Sequence, residues 1–164
     1  MTHPATQNKA RCNIESTPHG DVLTIAGEID DTTDLASSGK KLQSSNAIID
    51  LADVTFINSV GVREWVTLLD QLGSRGLRIT LRNVSEPMVR QMTMVMEAKG
   101  EASVESFFAP YMCTKCGDER ALLIHVAQHH ASLAAGTPPP LPCARCGAPA
   151  EFDEFPARYL AFLS

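Results

Sequence analysis

A mixed α/β layer followed by a small, separately organised C-terminal module is the fold class that the sequence predicts, and three observations predict it. Short β-branched runs alternate with segments of helical apolar period as far as residue 108, the pattern of strands joined by crossover helices. One run, Ile48-Ile49-Asp50-Leu51, leads through a polar step to Ser59 at the start of an amphipathic segment. Beyond Pro110 this alternation gives way to two cysteine pairs, a histidine-rich patch and the loop Gly136-Thr137-Pro138-Pro139-Pro140-Leu141-Pro142.

The bulk composition narrows the function classes. A chain of 164 residues with 44% hydrophobic and 20% charged residues suits one globular domain plus an appendage. The net charge of −5 argues against broad attraction to nucleic acid or anionic lipid. No apolar run approaches the ~20 residues of a membrane span, and residues 1–9 lack the apolar centre of a secretory signal. The expectation is a cytoplasmic protein with a disordered tail over residues 1–11, a first domain over 12–109 and a second over 110–164.

Taken in order, Val22-Leu23-Thr24-Ile25-Ala26 reads as a strand, and Gly27-Glu28-Ile29-Asp30-Asp31 as a loop rich in capping residues. A modest helix is expected over residues 34–42, and a central strand, apolar on both faces, over 47–51. From Val60 to Leu72, Val62, Val66, Leu69 and Leu72 share a helical face with Trp65 beside them, and Gly73 to Gly76 stop it. Leu77-Arg78-Ile79-Thr80-Leu81-Arg82 alternates as a half-buried strand does. Pro87 opens a helix whose stripe is Met88, Met92, Val95 and Met96, with the methionines expected in the core. Residues 102–108 supply a last short strand.

The cysteines carry the strongest chemistry. Cys113-Thr114-Lys115-Cys116-Gly117 and Cys143-Ala144-Arg145-Cys146-Gly147 each let one tight turn aim two sulfurs at a single ion. Together they complete a tetrahedral site for one structural Zn²⁺, with Lys115 and Arg145 offsetting the thiolate charge. The arrangement resembles a zinc ribbon in which residues 117–142 form a helical and proline-rich insertion. His125 and His129, spaced i and i+4 on a helix, offer a weaker alternative with Cys113 and Cys116, and are expected with His130 to serve as surface or packing residues. A closed four-cysteine site has no open position for substrate. From Pro110 onward four Lys/Arg face five Asp/Glu, so DNA binding is not expected. Phe152, Tyr159 and Phe162 near the C-terminus are expected to pack rather than to dock a partner.

The serine step completes the picture. Ile49-Asp50-Leu51-Ala52-Asp53-Val54-Thr55-Phe56-Ile57-Asn58-Ser59-Val60-Gly61, with Gly27-Glu28-Ile29-Asp30, resembles the STAS domains of sulphate transporters and anti-sigma factor antagonists. The likeness covers roughly residues 22–108. It implies a STAS-like layer of strands and helices, and, by the family's Asp-Ser-Ser-Gly step, Ser59 as phosphoacceptor. Asn58 stands where that family has aspartate, and Val60 where it has the second serine. In the antagonist branch a kinase that doubles as anti-sigma factor phosphorylates this serine, and a metal-dependent phosphatase reverses it.

Physically, a phosphate on Ser59 would sit at the positive end of a helix dipole. Glu28, Asp30, Asn58 and Gly61 are the expected switch surface around it. No catalytic constellation is visible, so an enzyme is not expected. The expected function is a cytoplasmic bacterial signalling module that binds an anti-sigma factor or serine kinase and a phosphatase. The alternative is a constitutive scaffold without phosphorylation. A second copy of the chain is a further candidate partner.

Overall fold

The computed structural model describes residues 8–164. Its first sheet has five strands in the order β1 (Arg11–Thr17), β2 (Gly20–Ile29), β3 (Asn46–Ile57), β4 (Arg78–Arg82), β5 (Ser103–Val104). β1 is antiparallel to β2, and the remaining neighbours are parallel. The parallel pairs are joined by α1 (Leu35–Gly39), α2 (Ser59–Ser74) and α3 (Glu86–Met94). A second, antiparallel sheet has the order β7 (Glu119–His125), β6 (Ser106–Cys113), β9 (Pro149–Phe152), β8 (Leu141–Pro142). The expected α/β layer and small ribbon-like module are both present.

Several boundaries move. Residues 1–7 of the expected tail lie outside the described residues. The rest of that tail is ordered, because Ala10 N–H donates to Glu28 O at 3.1 Å and Arg11 begins β1. β1 escapes the hydrophobic pattern because it is an edge strand in which only Ile14 and Thr17 are even half-buried. β3 continues six residues past Leu51, since two irregularities in its register with β2 absorb the polar step without ending the ladder. The expected break at Ala109-Pro110 falls inside β6, and the change of sheet comes between Val104 and Ser106. Pro110 is tolerated there, although its ring removes one donor from the strand.

The core is built where the pattern places it, with one exception. Val62, Trp65, Leu68, Leu69 and Leu72 of α2 are buried, and the Trp65 indole N–H donates to Ala98 O at 2.5 Å. Met88, Val89 and Met92 of α3 are buried as well. Met96, expected in the same stripe, is 86% exposed. Val95 adopts an extended conformation that ends the helix, so the 3.6-residue period no longer carries Met96 to the core.

Two polar nodes tie the layers together. Asn83, at φ 51°, donates its amide to Asp50 Oδ2 at 3.0 Å and accepts from the buried Ser106 hydroxyl at 3.1 Å. This closes the point where β4 leaves β3. At the opposite end, the buried Asp21 carboxylate accepts from Ser44 N at 2.9 Å, Gln43 N at 2.7 Å and Ser16 Oγ at 2.8 Å. Those donors, the Ser44 amide foremost, hold its carboxyl below the usual range against the opposing effect of burial.

A depressed folded-state pKa contributes stability above the unfolded value near 3.9, and that contribution is lost as pH falls through the folded value. Asp21→Ala is therefore expected to lower the unfolding free energy by about 2 kcal/mol at neutral pH, since it strands two backbone donors. In urea titrations the gap between variant and native chain should narrow below about pH 4. A gap independent of pH would contradict this role.

Candidate functional site

The serine step forms where β2 and β3 end side by side. Asn58 N–H donates to Ile29 O at 3.2 Å, so the turn after β2 lies directly against the entry to α2. Glu28 pairs with Phe56 across the two strands, and Asp30 opens the loop beyond Ile29. The structure thus sets the end of β2, with Glu28 and Asp30, beside the entry to α2, with Asn58, Ser59 and Gly61.

The division of labour among them differs from a serine cap. Asn58 is the N-cap residue, and its side-chain oxygen accepts from Gly61 N–H at 2.8 Å. Ser59 is the first residue of α2 and is exposed. Among the described residues its hydroxyl has no hydrogen-bond partner. Capping is therefore complete without it, and the side chain stands at a helix N-terminus where free N–H groups and the helix dipole favour an anion.

Gly61 is required by a close approach. A Cβ there would lie 2.1 Å from Ile29 O, a clash with backbone that no rotamer relieves. Glycine thereby lets the first turn of α2 sit against the end of β2, which fixes the height at which Ser59 is presented.

The acidic residues are less free than the sequence suggests. Asp30 accepts from the Thr32 hydroxyl at 2.6 Å and Thr32 N–H at 2.8 Å. These bonds, the hydroxyl first, hold its carboxyl below the ordinary carboxylate range. Asp30 is therefore an ionised turn-former, while beside it Asp31 is exposed and Glu28 half-buried. What the sequence reading missed here is apolar. Phe56 is 48% exposed and Met94 is 64% exposed. The alternation of β3 hid Phe56, and the helical stripe of α3 passed over Met94, so only the folded surface shows them side by side with Thr55 and Ile57.

The second site is the four-cysteine centre. Each C-x-x-C-G forms the turn of a β-hairpin, one between β6 and β7 and one between β8 and β9. The two turns repeat one geometry. Gly117 N–H donates to Cys113 O at 2.8 Å and Gly147 N–H to Cys143 O at 2.9 Å, both glycines at positive φ. Pairing of β6 with β9 then brings the turns together.

Cys113 and Cys146 sulfurs lie 3.5 Å apart, Cys116 and Cys143 sulfurs 3.6 Å, and all four within 4.8 Å of one another. A tetrahedral ion with metal–sulfur bonds of about 2.3 Å needs sulfurs about 3.8 Å apart. The donor set fits a metal ion of that size and softness.

Protons are divided unevenly among the sulfurs. Backbone donation from Cys146 and Arg145 brings Cys143 down to about 7 despite burial. Donation from the Cys116 amide likewise lowers Cys113. The Asp118 amide pulls on Cys116, but burial and the other three sulfurs outweigh it and push that thiol up to about 12. A bound cation would displace the remaining protons. Beside the centre, Arg120 donates to both Asp118 carboxylate oxygens, from Nε at 2.5 Å and from one Nη at 2.9 Å.

The histidines do not join it. His125 ends the strand β7, His129 closes a 3₁₀ turn, Ala127–His129, and His130 opens α4 (His130–Ala134). The expected i, i+4 pair on a helix does not exist, because residues 119–125 pair with β6 as a strand instead.

The aromatic end of the chain packs back on both modules. α5 (Pro156–Tyr159) places Tyr159 so that its hydroxyl donates to Phe108 O at 2.7 Å and Arg90 of α3 lies 5.7 Å over its ring. Phe162 meets Phe107 edge-on at 5.1 Å.

No helix is long and apolar enough to cross a membrane among the described residues. No curated protein matches the chain. A family model described as STAS domain matches residues 13–100, which contain most of β1, all of β2 to β4, the serine step and α3. With more than half of its length so matched, the chain belongs to the STAS domain family, here continued by a ribbon-like module whose four cysteines cluster in an arrangement that could hold a metal ion.

Proposed function

We propose that this chain is a cytoplasmic bacterial signalling module that binds protein partners, in the manner of an anti-sigma factor antagonist, and that phosphorylation of Ser59 gates one of those contacts. The observation that carries this reading is the release of Ser59 from capping. Asn58 satisfies Gly61 N–H, so the Ser59 hydroxyl is exposed at the positive end of a sixteen-residue helix with no structural duty to abandon. Phosphate would add about −1.5 to −2 charge there without unfolding the turn. It would also face Glu28 and Asp31, so a partner seated over the step would meet new bulk and new repulsion.

The kinase in this reading is the partner itself or a companion of it, and a phosphatase restores the free hydroxyl. The same surface with an unmodified serine makes a constitutive scaffold. Val60, the second position of the step, is 40% exposed and apolar, which favours contact there whatever the state of Ser59.

The four-cysteine centre is assigned one Zn²⁺ in a structural role. Four thiolates leave no open coordination position, and the small antiparallel sheet needs a staple that its short strands do not supply. No residue of the centre is given a catalytic part, and the chain is read as a binding protein rather than an enzyme.

Two measurements test the proposal. Ser59→Asp is expected to weaken binding of the cognate anti-sigma kinase at least tenfold relative to Ser59→Ala in calorimetric titration; equal affinities would sink the switch. Elemental analysis should find one zinc per chain, with Cys113→Ser and Cys146→Ser each abolishing it. Partial retention in either variant would mean that the two pairs do not share one ion.

A further inference from the structure

The C-terminal half of β3 has one side without a strand. β3 pairs with β2 as far as Ile57, but its ladder with β4 ends at Asp50 and Arg82. Ala52 N–H is held by Asp50 Oδ1 at 3.1 Å, and residues 53–57 beyond it have no strand paired on the β4 side among the described residues. An extended backbone with such an edge is a template for one more strand.

Beside this edge runs a trough. One part, about 450 Å³, lies between Ala52, Val54 and Thr55 of β3, Pro87 of α3, Phe108 of β6 and Ala121 of β7. The other, about 340 Å³, continues past Phe56 and Ile57 toward Met94, and the two share Thr55, Glu86 and Pro87. One end thus opens at the residues just before Asn58 and Ser59, and the other is walled by the β6–β7 hairpin of the ribbon. Ser85, which lines the first part, is 6% exposed, and its hydroxyl has no hydrogen-bond partner. A buried, unpaired hydroxyl costs stability unless something meets it.

The rim indicates the charge of what fits. Asp53 is exposed on β3, and Glu86 stands at the start of α3. Arg90, the cation at hand, is divided between Glu86 at 3.7 Å and Glu154 at 3.4 Å. A second copy pairing edge to edge would set these acids against their own equivalents, on a chain of net charge −5. A helix, about 10 Å across with its side chains, would leave the free edge unpaired.

We propose that this trough seats an extended segment of a protein partner, apolar at alternate positions and flanked by lysine or arginine, which adds a strand to β3 between the serine step and the ribbon. The inference rests on the reading of the serine surface as a protein-binding face, and it gives the ribbon a part in that face. The segment's backbone pairs with residues 53–57, its apolar side chains fill the space between Phe56 and Ala121, and its basic residues meet Asp53 and Glu86.

The test uses the full, metal-loaded chain and a random twelve-residue peptide library displayed on phage. Enriched peptides should alternate apolar and polar residues and carry Lys or Arg. A proline at their central position should weaken binding at least tenfold by removing a main-chain donor. Ala121→Trp and Thr55→Arg, one on each wall, should each weaken binding at least tenfold with the melting temperature unchanged; Thr55→Arg decides the matter should Ala121→Trp fail to fold.

No enrichment, peptides with helical spacing, or binding untouched by both variants would overturn the proposal. So would a dimer in sedimentation equilibrium that Thr55→Arg dissolves, which would give the trough to a second copy. The switch is separable: equal affinity of Ser59→Asp and Ser59→Ala for the kinase, with peptide binding intact, removes the switch and keeps the trough. Kinase binding that survives both wall variants, with no peptide enriched, removes the trough and keeps the switch.

Discussion

Val84 holds the two modules in one register. It is fully buried just after β4, donates its N–H to Ser106 O at 3.0 Å and accepts from Phe108 N–H at 2.8 Å. Glu105 N–H adds a third bond to Leu81 O at 2.8 Å. The first strand of the ribbon is thereby laid along the edge of the STAS layer before it runs on to Cys113. Nothing about the cysteine centre is tethered by a loose linker, because the strand that ends in the first ligand begins in these bonds. The C-terminal turn reinforces them from outside, with Tyr159 bonded to Phe108 and Phe162 against Phe107. A ribbon alone would be too small to form a substantial core. Here it borrows one.

The serine step depends on a similarly short list of contacts. Ile29 O receives Asn58 N–H and leaves no room for a side chain at position 61. Those two constraints set the entry of α2, and Asn58 caps it. In consequence Ser59 carries no structural load. A residue in that state is open to modification at little cost to the fold, whereas a capping serine would lose about 1 kcal/mol of helix stability when altered. The departure of Asn58 from the family's aspartate thus removes a charge beside the acceptor and keeps the cap.

Much of the fold was legible because it obeys period and punctuation. The parallel core strands, α2 and both cysteine turns follow from apolar spacing and from glycine at fixed offsets. The parts that were not legible have physical reasons. β1 is an edge strand with little to bury, so Ile14 gives almost no signal. The helical insertion expected between the cysteine pairs begins instead as a strand, because pairing with β6 takes up residues 119–125. Pro110 suggested a boundary, yet it lies inside β6 just beyond the reach of the β9 ladder, where its carbonyl accepts from Asp153 N–H at 2.9 Å. At the site, Ser59, Gly61 and the four cysteines could be named as candidates from the sequence, and the exposure of Phe56 and Met94 could not.

These features make the chain one module with two chemistries, a serine step and a four-cysteine cluster, joined through β6. Native-state hydrogen exchange of the zinc-loaded chain, compared with the chain treated with a chelator, tests that most directly. Coupling predicts that the Phe108 amide, which bonds Val84, loses at least tenfold protection together with Gly117 and Gly147, while the amide of Ile49 in the central strand keeps its own. Free exchange at Gly117 and Gly147 with Phe108 unchanged would contradict it, and would make the ribbon an independent appendage.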